Sequence, residues 1–241
     1  MKENRSNTDK KMNRNFFFAL FIFFALTACR KHDPQPVELS WQFIGGASGW
    51  IGDFADYPFR QDTVYELHFE YAPLPEPLDT GKGCLKLTGR NMSDDLFMFA
   101  KKQITGLEPL TTYQASFYLE FASDVPDGMT GIGGSPGESV FIKAGASPIE
   151  PQKVPEDNSF YRMNIDKGNQ AEGGKDMLVI GDFSNDTDQA VYTLKSATNQ
   201  SPFDITTDEN GSLWLIFGID SGFEGTTTIY INSIRTELLK L

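Results

Sequence analysis

Trp50, Tyr57 and Phe59 stand close together in a stretch full of turn formers, Gly45 to Arg60, with Asp53, Asp56 and Arg60 beside them. Aromatic rings stack on the C–H faces of sugars, while carboxylate, amide and guanidinium groups bond sugar hydroxyls, so this mixture suits carbohydrate. A second polar run, Arg162 to Gln170 (RMNIDKGNQ), can line the same concave surface. The candidate ligand contacts are therefore Trp50, Asp53, Tyr57 and Arg60, with Arg162 and Asn164 second. The alternative reading of Trp50 is a large aromatic that caps one end of the core.

Asp182, Ser184, Asp186 and Asp188 fall at alternate positions, as oxygen ligands do in a calcium loop. An EF-hand would need glycine and glutamate where Thr187 and Thr193 stand, which excludes that motif and leaves a looser oxygen site at Asp182, Asp186 and Asp188. Gly133-Gly134-Ser135-Pro136-Gly137 matches the G-x-S-x-G nucleophile elbow. That elbow uses the N–H of the residue after the serine, and Pro136 has none. His68 is the only histidine of the body, so a glycine-rich turn is expected instead. Glu66, His68 and Glu70 alternate, which would place them on one strand face with neighbours roughly 6.6–7 Å apart. A carboxylate beside histidine raises its pKa, and a divalent metal could use the set. The same alternation also describes the wet face of an antiparallel strand. Glycoside cleavage needs two carboxylates roughly 5–10 Å apart, and Glu66 with Glu70 is the pair considered for it.

The elements that must position these residues have a period of two. Tyr65, Leu67, Phe69 and Tyr71 alternate with polar residues, as do Tyr113, Ala115, Phe117, Leu119 and Phe121. Nine further runs rich in β-branched and aromatic residues are separated by turn clusters such as Asp124-Val125-Pro126-Asp127-Gly128. Leu213 to Phe217 is apolar at every position and reads as a central strand covered on both sides. About eleven strands without intervening helices predict an all-β antiparallel sandwich or barrel. Gly145 to Asn158, with Pro148, Pro151 and Pro155, is read as a long rim loop.

The 241 residues carry 21 basic and 33 acidic groups. Five of the basic and two of the acidic ones fall in residues 1–28, leaving 16 against 31, a net of −15. Such a surface repels phosphate backbones, so no nucleic-acid partner is expected. A basic polar segment precedes a 13-residue apolar run, Phe16 to Ala28, which is shorter than the ~20 residues a membrane-spanning helix needs. It ends in Leu26-Thr27-Ala28-Cys29, which resembles the lipobox of bacterial lipoproteins. The resemblance implies diacylglycerol transfer to Cys29, cleavage before it, and acylation (palmitate) of the new amino terminus. Several chains give a firm membrane anchor, each buried CH₂ contributing about 0.8 kcal/mol. The expected organisation is a signal peptide at 1–28, a lipidated tether at 29–37 and one β-sandwich domain at 38–241, held at the outer membrane of the cell envelope. Arg30 and Lys31 stand where surface-exported lipoproteins carry acidic residues, so the periplasmic and surface faces both stay open. With Cys29 acylated, Cys84 has no disulfide partner and reads as a small buried hydrophobe.

A lipoprotein leader, a short tether and one acidic, aromatic-rich sandwich together resemble the galactose-binding-like jelly rolls, to which many carbohydrate-binding modules belong. The closing strand Thr228 to Ile234 is similar to the last strand of those modules, with Asn232 where they often have aspartate. The blocks Gly131 to Ser147 and Asn164 to Gln170 are similar to those of uncharacterised secreted bacterial proteins. The resemblance implies a jelly-roll β-sandwich, a glycan partner and a structural calcium as the cofactor, with Asp182, Asp186 and Asp188 its ligands. It gives a non-catalytic carbohydrate-binding lipoprotein as the expected function. The alternatives are a structural or adhesive protein docking an envelope protein partner, and a polysaccharide hydrolase.

Overall fold

Apolar and polar residues alternate through Tyr113–Phe121, and the chain there is an extended strand whose odd-numbered side chains are buried. The same rule, one dry and one wet face per strand, builds fifteen strands among the described residues of the computed structural model, which are Met1 and residues 35–241. The leader, Cys29 and the start of the tether lie outside them. The strands are β1 (Val37–Gln42), β2 (Ile51–Ala55), β3 (Tyr57–Pro58), β4 (His68–Pro73), β5 (Gly83–Arg90), β6 (Leu96–Ile104) and β7 (Thr112–Ser123). Then come β8 (Val140–Ser147), β9 (Lys153–Glu156), β10 (Phe160–Met163), β11 (Met177–Asp182), β12 (Thr193–Thr198), β13 (Phe203–Thr206), β14 (Leu213–Ser221) and β15 (Thr226–Lys240).

One sheet has the order β12-β7-β15-β5-β4, with β1 also beside β15 and β13 beside β7. The facing sheet has the order β11-β8-β14-β6-β2. The chain crosses from one sheet to the other at β1–β2, β5–β6, β6–β7 and β7–β8, and again at β11–β12, β13–β14 and β14–β15. The result is the expected all-β jelly-roll sandwich, with antiparallel strand pairing in both main sheets among the described residues. Phe117, Phe121, Ile142, Leu215, Phe217 and Ile234 interdigitate between the sheets. β14 holds the central place its apolar run predicts, between β8 and β6.

The outer face of the five-stranded sheet is also covered. A three-stranded sheet, β3-β10-β9, and the segment 164–176 lie over it. Phe97, Phe99, Ile216 and Met177 of the sheet pack there with Ile165 as a second, smaller core. This third layer positions the site described below.

Three local expectations change. The strand expected from Tyr65 begins at His68, because Glu66 has φ 49° and closes a turn in which the Tyr65 N–H reaches the Gln61 carbonyl at 3.0 Å. Glu66 therefore leaves the strand that carries His68 and Glu70. Within the expected rim loop Gly145–Asn158, β8 runs on to Ser147 and Lys153–Glu156 forms β9. Pro155 is tolerated because β9 is an edge strand. The turn-rich Gly45–Arg60 stretch holds β2 and β3, linked through Asp56 at φ 61°, a conformation aspartate adopts more readily than most residues.

Candidate functional site

Two charged residues on the outer face of the five-stranded sheet are fully buried: Lys143 on β8 and Asp220 on β14. A charge removed from water must be paired and hydrogen-bonded. Lys143 Nζ lies 2.8 Å from Asp220 Oδ2 and donates to the Lys167 and Glu172 carbonyls at 2.9 and 3.0 Å. Asp220 Oδ2 also takes Lys167 Nζ at 2.7 Å and the Gln170 N–H at 2.9 Å. The loop 166–172 is therefore tied down onto this pair. Lys167 Nζ reaches on to Asp56 Oδ2 at 2.8 Å and lies over the Phe97 ring, 5.1 Å from its centroid. Asp56 and Asp95 share Arg162 Nη1 at 3.1 and 2.8 Å, while Arg162 Nε donates to Glu156 at 3.3 Å. The chain Lys143–Asp220–Lys167–Asp56–Arg162–Asp95 is continuous, and it rises from the covered face of the sheet into a cleft of about 230 Å³. Asp56, Asp95, Arg162, Lys167, Gly168 and Asn169 line that cleft.

Burial, and then repulsion from Asp56 and Asp220, push the Asp95 carboxyl up to about 6 against the pull of Lys167 and Arg162. Burial lowers Lys143, outweighing the attraction of Asp220. It also works against the Lys167 charge, but there Asp220 and Asp56 together win and the pKa rises. The difference follows from geometry: Lys167 touches two carboxylates, whereas Lys143 touches one and faces the charge of Lys167.

Oxygens of Asp56, Asp95 and Asp220 lie within 4.8 Å of one another, as in a metal site. The donors do not fit a metal. Two ammonium groups and a guanidinium already neutralise the three carboxylates, and a divalent ion beside Lys167 would meet like charge at contact distance.

Of the six candidate ligand contacts, Arg162 alone lines this cleft. The two stretches 50–60 and 160–164 do meet, since Tyr57 pairs with Tyr161 across β3 and β10. Trp50 is no stacking platform. It is 3% exposed and packs edge-on against Trp41 and Phe217, centroids 5.3 and 5.9 Å away, which is the core-capping alternative. Tyr57 is also buried; its hydroxyl donates to Asp62 at 2.7 Å and accepts from Lys153 at 2.7 Å, and burial with Asp62 pushes its pKa up. Asp53 faces Lys153 at 3.4 Å. Arg60 lies exposed over the Phe59 ring. Asn164 uses its amide within the protein, accepting from the Gln152 N–H at 2.8 Å and donating to the Glu150 carbonyl at 2.9 Å.

The calcium expectation meets a lysine. Lys195 Nζ sits 2.9 Å from both Asp182 and Asp186, so an ammonium stands between the two carboxylates, while Asp188 is exposed. Asp182 is further engaged by Ser184. Ser135 caps its own turn, bonding Glu138 and accepting the Gly137 and Glu138 N–H groups, so the G-x-S-x-G match is a glycine-rich turn. Glu70 pairs with Lys86 at 2.9 Å, whereas Glu66 sits in the turn facing Arg90 at 3.7 Å. Cys84 is buried and donates to the Ala72 carbonyl, and burial raises its thiol to about 12.

Sequence reasoning missed Asp95, Lys143 and Asp220 as site residues. A signal existed: Lys143 interrupts the apolar run Val140 to Ala146, and Asp220 closes the run that begins at Leu213. Opposite charges inside two doubly covered strands must find each other.

No protein family matches the chain, and no curated protein does. Similar solved structures include a carbohydrate-binding module of the β-sandwich superfamily, described for its promiscuous specificity. It is 13% identical, with 79% of this chain and 57% of that one covered and a TM-score of 0.38. This chain thus spans little more than half its length. A module studied for specific mannan recognition is 10% identical over 84% of this chain and 98% of that one, TM-score 0.38. A putative sugar-binding protein from Bacteroides thetaiotaomicron is 11% identical over 78% and 88%, TM-score 0.36. Likenesses this distant carry no functional argument. The sandwich rests on the strand pairings themselves.

Proposed function

We propose that the protein is a non-catalytic carbohydrate-binding lipoprotein of the cell envelope, which takes a neutral stretch of glycan in the cleft beside Arg162. One observation carries this: Arg162 and Lys167 are held at the cleft by Asp56, Asp95 and Asp220 and present fixed, directional polar groups there. A site whose charges are already paired within the protein and which keeps hydrogen-bonding capacity suits an uncharged ligand rich in hydroxyls better than an ion. Arg162 Nη2 and the Asn169 side-chain amide make no hydrogen bond among the described residues, and both stand at the cleft. Asp56, Asp95 and Glu156 hold the guanidinium in place, so little ordering is required when ligand arrives. Acylation at Cys29 would anchor the protein to the outer membrane, and intact-mass measurement of the purified lipoprotein tests that part.

Affinity electrophoresis against a panel of neutral polysaccharides tests the binding. Retardation that is lost in Arg162→Ala and weakened in Asn169→Ala is expected. No retardation by any polysaccharide, or retardation unchanged in both variants, overturns the reading. Release of reducing sugar would instead favour the hydrolase, and a stoichiometric protein partner without glycan response the adhesive protein.

A further inference from the structure

The seven-stranded sheet has a notch. β15 pairs with β5 from Thr226 to Ile231 and with β1 from Ser233 to Leu238, changing partner at Asn232. The ladder to β7 shifts register at the same place, between Ile231 and Ser233. A bulge residue sits opposite no ladder partner. Between the end of β1 at Gln42 and the start of β5 at Gly83, the sheet opens into a cavity of about 300 Å³. It belongs to the other sheet from the Arg162 cleft and shares no lining residue with it.

Its wall is Tyr71, 43% exposed. The Tyr71 hydroxyl accepts the Gly45 N–H at 3.2 Å, and its ring lies across Gly83, where a Cβ would fall 2.0 Å from the hydroxyl oxygen. Two glycines thus set an aromatic ring in place at the mouth. Around it stand polar groups without partners among the described residues: the Gln42 amide, the Lys82 ammonium and the Ser233 hydroxyl. Asn232 uses its NH₂ on Glu120, which leaves its oxygen to accept.

We infer that this notch is a second binding site, and that its ligand is a single hexopyranose ring, stacked on Tyr71 and bonded through its hydroxyls by Gln42, Asn232 and Ser233. A concave site with an apolar wall and a few convergent polar groups has the make-up of a small-molecule pocket, and its volume stands at the small end of that range. A pyranose presents an apolar C–H face and equatorial hydroxyls, matching the ring and the polar rim respectively. The inference does not require the Arg162 cleft to bind anything.

Amide chemical-shift mapping of the whole protein, titrated separately with the methyl glycosides of glucose, galactose and mannose, tests it. With at least one of them, shifts are expected at Gln42, Gly45, Gly83 and Ser233. Affinity should fall at least tenfold in Tyr71→Ala and in Gly83→Ala, whose added Cβ displaces the ring, and should be unchanged in Arg162→Ala. Gln42→Ala, a surface change without structural partners, should also weaken binding. Shifts confined to Gly168 and Asn169 would overturn the notch while sustaining the cleft. Shifts at the notch that survive Tyr71→Ala, Gly83→Ala and Gln42→Ala would overturn it as well, and no shift with any of the three would do the same.

Discussion

The cleft and the notch lie on different sheets of one sandwich and are built in opposite ways. In the cleft, charged groups rising from a buried base are engaged with one another, so the network that presents Arg162 also holds a loop and a third layer onto the sheet. In the notch, polar groups stand free and order comes from backbone: a strand that changes partner, and glycines under a tyrosine. The comparison teaches that a preorganised polar site can be made by mutual ionic constraint or by omission of a strand segment. The first makes stability hostage to the site. The second leaves the two independent.

Removal of one partner from the buried network should give the largest effect. Lys143→Ala leaves Asp220 short of a counter-charge in a dry place, and a loss of about 3–5 kcal/mol is expected in denaturant unfolding. In the notch, Lys82→Ala should stay within about 0.5 kcal/mol of wild type in the same measurement, as exposed substitutions usually do. Similar losses at the two positions would dissolve the contrast. Trp50→Ala should also cost about 3–5 kcal/mol, as for large aromatics of a core, and glycan retardation of the folded fraction should persist. Selective loss of retardation without loss of stability would return Trp50 to the ligand.

A smaller effect is expected from pH. Asp95 titrates at about 6 in the folded protein against an ordinary value of 3.8, so between those values the folded state keeps a proton that the unfolded chain releases. Stability from this group is therefore fullest below about pH 4 and is lost as pH rises through 6. The unfolding free energy of wild type relative to Asp95→Asn should climb as pH falls from 7 to 4; a flat or falling difference would show Asp95 to be ordinary. The smallest effect concerns calcium. Millimolar calcium should leave the melting temperature of the wild type unmoved, since Lys195 stands between Asp182 and Asp186. A rise abolished by Asp182→Asn would restore a cation site there.

Much of the fold was legible because strand periodicity is a local property. Tyr113–Phe121 and Leu213–Phe217 declare their buried faces in a few residues. The site was legible only in part. Arg162 was found because it lies in a conspicuous polar run, whereas Asp56, though noted beside the aromatics, was not among the candidate contacts, and nothing local pairs the two. Trp50 misled because the same side chain serves a sugar platform and a core cap, and only its neighbours Trp41 and Phe217 choose between them. The alternating aspartates misled in a similar way. Lys195, the residue that answers them, comes from the next strand. Tyr71 was counted among inward residues of its strand, and so it is by parity; its position at the sheet edge beside a gap in the ladder is what leaves it open.

By itself, the sequence determined the class of structure: a period of two, turn clusters and the absence of helical pattern leave an acidic, all-β sandwich as the consistent outcome. It also determined that Lys143 and Asp220, set in apolar strands, would have to be neutralised somewhere. Tertiary structure alone decided by what. The six-membered acid–base chain joins residues from Asp56 to Asp220, and the notch joins Gln42 to Ser233. Hydrophobic alternation acts between residues two apart, whereas a charge network or a gap in a ladder depends on strand order, which is set by the packing of the whole chain.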